Sequence, residues 1–156
     1  MKKLSIVAFS GVLALSAAAF AQAPDPIVGT WTLDVAKSTY KPGPAPKSAT
    51  LVVEAAGKGY KIAIDVMGPD GKAMKWGWTN TEDGKEFAIT GNPMYDAGTT
   101  TRTSPKEGTN VYKKAGKTIV TAKTSVSADG KTLTATSTGT DAKGQAINNV
   151  ALYIKK

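Results

Sequence analysis

From Ile27 to the C terminus the chain is a succession of short runs in which apolar and polar residues alternate, rich in Thr, Val and Ile and punctuated by glycine-bearing turns. Alternation with a period of two sends successive side chains to opposite faces of a strand, so each run reads as a strand with one buried face. About ten strands are predicted, over residues 27–34, 48–55, 60–67, 73–80, 85–90, 98–104, 109–114, 117–127, 131–140 and 145–155. No run keeps the 3.6-residue period of an amphipathic helix for three turns.

The triplet Asp-Gly-Lys recurs at Asp70-Gly71-Lys72, Asp83-Gly84-Lys85 and Asp129-Gly130-Lys131. Asp-Gly suits the two positive-φ positions of a type I′ hairpin, so each copy is expected to join antiparallel neighbours. A flat meander of this many strands would leave two long unpaired edges, and closure removes them. The fold class that follows is all-β, a single antiparallel up-and-down β-barrel of about 8–10 strands. Alternation assigns the interior to Tyr60, Ile62, Ile64 and Val66, to Met74, Trp76 and Trp78, and to Val120, Ala122 and Val126. It also turns inward the Leu133 side of its strand and Val150, Leu152 and Ile154, and leaves Tyr112 and Tyr153 facing out.

The first residues depart from this rhythm. Lys2 and Lys3, an apolar run over residues 4–15 and Ala19-Phe20-Ala21 read as a secretory signal peptide of bacterial type, too short to span a bilayer. The expected organisation is a cleaved leader over residues 1–21 and one barrel domain over residues 22–156, exported to the periplasm or beyond the cell, soluble, with no lipid anchor. Cleavage would lower the net charge of +8 by two. Lysines spread along strands and turns imply a solvated basic surface, capable of weak contact with anionic lipid headgroups or polysaccharide. Clustered arginine interleaved with aromatics is missing, which speaks against nucleic acid.

Among 156 residues there is no cysteine and no histidine. Disulfides, a Ser-His-Asp triad, a Cys-His pair and the usual zinc, iron and copper sites are thereby excluded, so no catalytic residue, metal or cofactor is expected. A histidine-free enzyme would need paired carboxylates, and Glu54, Asp65 and Glu86 fall on polar strand faces.

Gly29-Thr30-Trp31 resembles the G-x-W element of lipocalins and their fatty-acid-binding relatives. The wider text runs from Gly29-Thr30-Trp31-Thr32-Leu33-Asp34 and Ala36-Lys37-Ser38, through Pro42-Gly43-Pro44-Ala45-Pro46-Lys47-Ser48, Asp83-Gly84-Lys85 and Thr90-Gly91-Asn92-Pro93. It continues with Ser127-Ala128-Asp129-Gly130-Lys131-Thr132-Leu133-Thr134 and Asn148-Asn149-Val150-Ala151. Together these are similar to a group of small exported bacterial lipocalin-like, calycin-type proteins. The resemblance implies a calycin barrel that carries a small apolar molecule, with Gly29 and Trp31 as structural residues of its floor and no catalytic motif. Lipocalins pack a late arginine across that tryptophan. Here the only arginine, Arg102, lies mid-chain, which leaves a lysine stem or nothing charged to cover Trp31.

In an up-and-down order the odd-numbered connections gather at one rim. The two longest, residues 35–47 with their proline-rich strap and residues 91–97, are among them and mark a mouth. A ligand passing Tyr40, Met94 and Tyr95 would rest against Tyr60, Ile62, Trp76, Trp78, Phe87 and Leu152, with the amide of Asn148 facing inward. The expected molecule is a non-catalytic monomer that binds a small apolar or amphipathic ligand in its lumen. The rival readings are an envelope or extracellular interaction or inhibitor module using the loop rim, and a histidine-free enzyme.

Overall fold

The computed structural model describes residues 24–156, so the expected leader lies outside the described residues. Ten strands follow one another: β1 (Gly29–Leu33), β2 (Ser48–Ala56), β3 (Gly59–Met67), β4 (Ala73–Asn80), β5 (Asp83–Ala88), β6 (Ala97–Ser104), β7 (Glu107–Lys114), β8 (Lys117–Val126), β9 (Thr132–Thr140) and β10 (Ala146–Lys155). They form one antiparallel sheet in the order β4-β3-β2-β1-β10-β9-β8-β7-β6-β5. The first and last strands pair directly, Trp31 against Lys155 and Leu33 against Tyr153. The barrel is therefore an up-and-down meander closed on itself at β1 and β10.

Register explains why the alternating runs became these strands. Leu51 faces Ile64 and Val53 faces Ile62 across β2 and β3, and Ile64 faces Trp76 and Ile62 faces Trp78 across β3 and β4. Directly opposed side chains share a face, so these pairs build one continuous apolar inner layer. Between them, on the outer face, Glu54 pairs Lys61 and Asp65 pairs Lys75, the latter as an ion pair of 3.0 Å. Exposed pairs of this kind add little stability, but they fix which face meets water.

The opposite seam, between β4 and β5, is built differently. The two strands share no ladder; the backbone joins at one bridge just beyond β5, where Gly77 and Thr90 exchange two hydrogen bonds of 3.1 Å. A side chain at Gly91, next to Thr90, would put its Cβ 2.3 Å from the Lys75 carbonyl oxygen on β4, so glycine lets the chain beyond β5 come this close to β4. Below the bridge, side chains take over. Trp78 and Phe87 stack with ring centroids 5.7 Å apart, the Asn80 amide donates to Thr100 at 3.0 Å, and Glu82 pairs with Arg102 at 3.1 Å.

Three expectations are corrected. Asp83-Gly84-Lys85 is not a hairpin turn between paired strands. It lies inside β5, where the register against β6 shifts between Asp83 and Glu86 and Gly84 takes a φ of 81°, while the chain reverses just before it with Glu82 at a φ of 55°. The Asp83 carboxylate accepts from Thr81 and from the Lys85 amide, so the same residues that can make a turn make a bulge at the strand's start.

The faces of β10 are also inverted. Because Trp31 and Leu33 point inward, their partners Lys155 and Tyr153 do too, followed by Ala151 and Asn149. Val150 and Ile154 are each 39% exposed and, with Leu152, face outward. Tyr112 on β7 likewise faces the lumen instead of solvent.

Candidate functional site: the barrel lumen

The inner layer encloses a cavity of about 480 Å³. Its mouth is bordered by Tyr40, Pro44 and Pro46 from the β1–β2 connection, by Gly68 and Pro69 from the β3–β4 turn, and by Asn92, Pro93, Met94 and Tyr95 from the β5–β6 connection. Asn92 holds the last of these in shape, its side-chain oxygen accepting from the amides of Met94 at 2.8 Å and Tyr95 at 3.2 Å. One wall is aliphatic, from Leu51, Val53, Ile62, Ile64, Leu133 and Ala151. The facing wall, on β4 and β6 to β8, carries Asn80, Thr100, Asn110 and Thr124. Between the walls an aromatic series climbs from seam to rim: Phe87 stacks on Trp78, Trp78 meets Tyr112 edge-on at 5.8 Å, and Tyr112 stacks on Tyr95 at 5.1 Å. Burial raises the Tyr112 and Tyr153 phenols well above their ordinary range, and Tyr95 and Tyr40 rise for the same reason.

Below the cavity Trp31 is fully buried, and its indole N–H donates to the Ile27 carbonyl at 2.8 Å. Lys155 covers it, with the ammonium 4.9 Å from the ring centre and donating to the Pro26 carbonyl at 2.9 Å. Gly29 makes room for that lysine: a Cβ there would lie 2.8 Å from the Lys155 stem, and its φ of 139° suits no other residue. Beside this plug, Arg102 gathers Asp25 at 2.8 Å, Glu82 at 3.1 Å and the Tyr60 hydroxyl, which itself bonds Asp25. Burial alone would raise Asp25, but hydrogen bonds from Arg102 and Tyr60 outweigh it and hold the carboxyl below its usual range. For Glu82 burial prevails and the carboxyl is raised despite Arg102. Burial and the hydrogen bond to Asp25 push Tyr60 up to about 12.

Of the residues read from the sequence, Ile62, Trp76, Trp78, Met94 and Tyr95 line the cavity. Tyr60 lies on the inner face but beneath the cavity, tied into the Arg102 cluster. Phe87 is buried behind Trp78 at the seam. Asn148 and Leu152 fall outside with the inverted face of β10, and Asn149 takes the inner position. Sequence reasoning missed Asn80, Thr100 and Asn110, although Asn80 is two residues past Trp78 and continues its inward face. Nothing local could have paired Asp25 with Arg102, 77 positions apart.

Neither a protein-family model nor a curated protein matches this sequence. Among solved structures the chain is similar to the zebrafish ileal bile acid-binding protein complexed with cholic acid, at a TM-score of 0.52 and 16% identity, over 84% of this chain and 99% of that one. Ten antiparallel strands in a nearly closed up-and-down barrel, over a shape shared with that protein, define the fold as a lipocalin-like β-barrel.

Proposed function

We propose that this chain is an exported, non-catalytic, monomeric carrier that holds a small apolar or amphipathic molecule in its lumen. The observation that carries the reading is the cavity of about 480 Å³, enclosed by aliphatic and aromatic side chains and bordered at one rim by the longest loops. That volume falls within the roughly 300–1,000 Å³ of small-molecule sites. The shared fold with a protein complexed with cholic acid supports it. Export rests on the leader-like first 21 residues. The non-catalytic reading is supported by the state of two carboxylates at the floor: Asp25 and Glu82 are both bound to one guanidinium and are not free to act as an acid and a base.

Trp76 and Trp78 in the cavity wall provide the reporter. Titration with a panel of apolar compounds should shift tryptophan emission saturably, and native mass spectrometry of protein purified from its own host should show a retained mass. Flat titrations across the panel together with a bare chain would overturn the carrier reading.

A further inference from the structure

The polar wall of the lumen is incomplete in a specific way. Asn80 is 6% exposed and Thr100 5%, and with Asn110 they form a directed chain: the Asn80 amide donates to the Thr100 hydroxyl, which donates to the Asn110 oxygen at 2.7 Å. That direction spends the amide nitrogen and leaves the Asn80 Oδ1 acceptor buried with no partner among the described residues. Two residues earlier on the same inward face, the Trp78 Nε1–H donor is equally buried and unpartnered. A third such atom, Thr32 Oγ1, belongs to the outer side of β1. Asn80 and Trp78 both border the cavity, on one strand, about 7 Å apart along the chain.

A buried donor and a buried acceptor left unpaired are each costly, and a hydroxyl can meet both needs, since it donates once and accepts twice. The charges around the lumen exclude an anionic group in that role. The charged residues bordering the cavity are Glu82, Arg102 and Glu107. All three nitrogens of Arg102 are already engaged: Nε with the Ser104 carbonyl at 3.0 Å, and the other two with Asp25, Glu82, Tyr60 and the Pro105 carbonyl. Among the described residues no lysine reaches the cavity wall. The surface is basic and the interior is not.

The geometry points to an uncharged apolar ligand that carries a hydroxyl, held at the β4–β5 seam by the Trp78 indole N–H and the Asn80 side-chain oxygen. This rests on the carrier reading and names the chemistry of its ligand.

Equilibrium dialysis with three radiolabelled probes of equal chain length tests it: 1-dodecanol, methyl dodecyl ether and dodecanoate, at neutral pH. The ratio of variant to wild-type affinity for each probe cancels the probe's own solubility. Asn80→Leu should weaken dodecanol about tenfold and leave the ether, which has no proton to donate, within about twofold. Trp78→Phe keeps a ring against Phe87 and should weaken both neutral probes severalfold, which keeps the test decisive if Asn80→Leu does not fold. Dodecanoate should bind wild type more weakly than dodecanol. Binding of all three probes with no loss in either variant, as when solvent alone meets these atoms, overturns the hydroxyl assignment and leaves the carrier reading standing. Dodecanoate bound as tightly as dodecanol overturns the uncharged ligand. No binding of any probe to wild type overturns the hydroxyl assignment, and the carrier reading falls with it only if the tryptophan titrations are also flat and the purified chain is bare.

Discussion

The two ends of the barrel close by opposite means. At the floor, residues from both ends of the described residues converge: Asp25 and Pro26 from one end and Lys155 from the other meet Trp31, Tyr60 and Arg102. Several polar groups there are paired across large sequence separations, Asp25 with Tyr60 and Arg102 and Lys155 with Pro26. At the mouth, the β1–β2 connection is tied to β10 by the Thr39–Val150 bridge and by the Asn149 side chain, but the β5–β6 connection is ordered locally, by an Asn92 side chain that bonds amides two and three residues on. Contacts that link distant segments are lost together on unfolding, whereas local turn bonds restrain only their own loop. The floor is therefore where stability is concentrated, and the β5–β6 side of the mouth is where sequence can change at little structural cost.

The contrast breaks most visibly at the plug. Trp31→Ala empties a fully buried site and should destabilise the protein by about 3–5 kcal/mol in urea unfolding, while Met94→Ala at the rim should stay within about 0.5 kcal/mol of wild type. Equal losses at the two positions would dissolve the distinction. Arg102→Met should follow, at roughly 2–3 kcal/mol, because it leaves Asp25 and Glu82 facing one another without their shared cation.

The finest effect is in pH. Asp25 titrates below its ordinary 3.8 in the folded protein, so its contribution is present above that value and is lost as pH falls through the folded one. Glu82 is raised above 4.5, so its contribution is full below that value and is lost as pH rises through its folded one. Urea midpoints measured from neutral to about pH 3 should show Glu82→Gln missing a small gain between neutral pH and 4.5 that wild type displays. Asp25→Asn should instead lose less than wild type below 3.8. Superimposable curves for the two variants would mean that burial and pairing do not divide these carboxylates as their surroundings indicate.

Much of the barrel was legible along the chain. β4 runs over the expected residues, and β2, β3, β6, β8, β9 and β10 differ from expectation by one residue at an end. Trp76, Trp78 and Ile62 reach the lumen because inward direction on those strands follows from hydrophobicity alone. The site was legible only in part. On β10 both faces carry apolar residues, Val150, Leu152 and Ile154 on one and Ala151 and Tyr153 on the other, so composition favoured the wrong parity. Asp83-Gly84 can make either a hairpin turn or a bulge, and its own text does not choose.

By itself the amino-acid order determined the period of two, the ten segments that carry it, the lack of histidine and cysteine chemistry, and the tryptophan that ends up beneath the cavity. Those are properties of neighbours, and a strand's alternation is set within a few residues. Closure at β1 and β10, the side-chain seam at β4 and β5, the face that β10 turns inward and the gathering of Asp25, Tyr60 and Glu82 on Arg102 were decided only in three dimensions. Register is why: a slip of one position reverses every side chain on a strand, and the partner that prevents the slip stands far away in the chain.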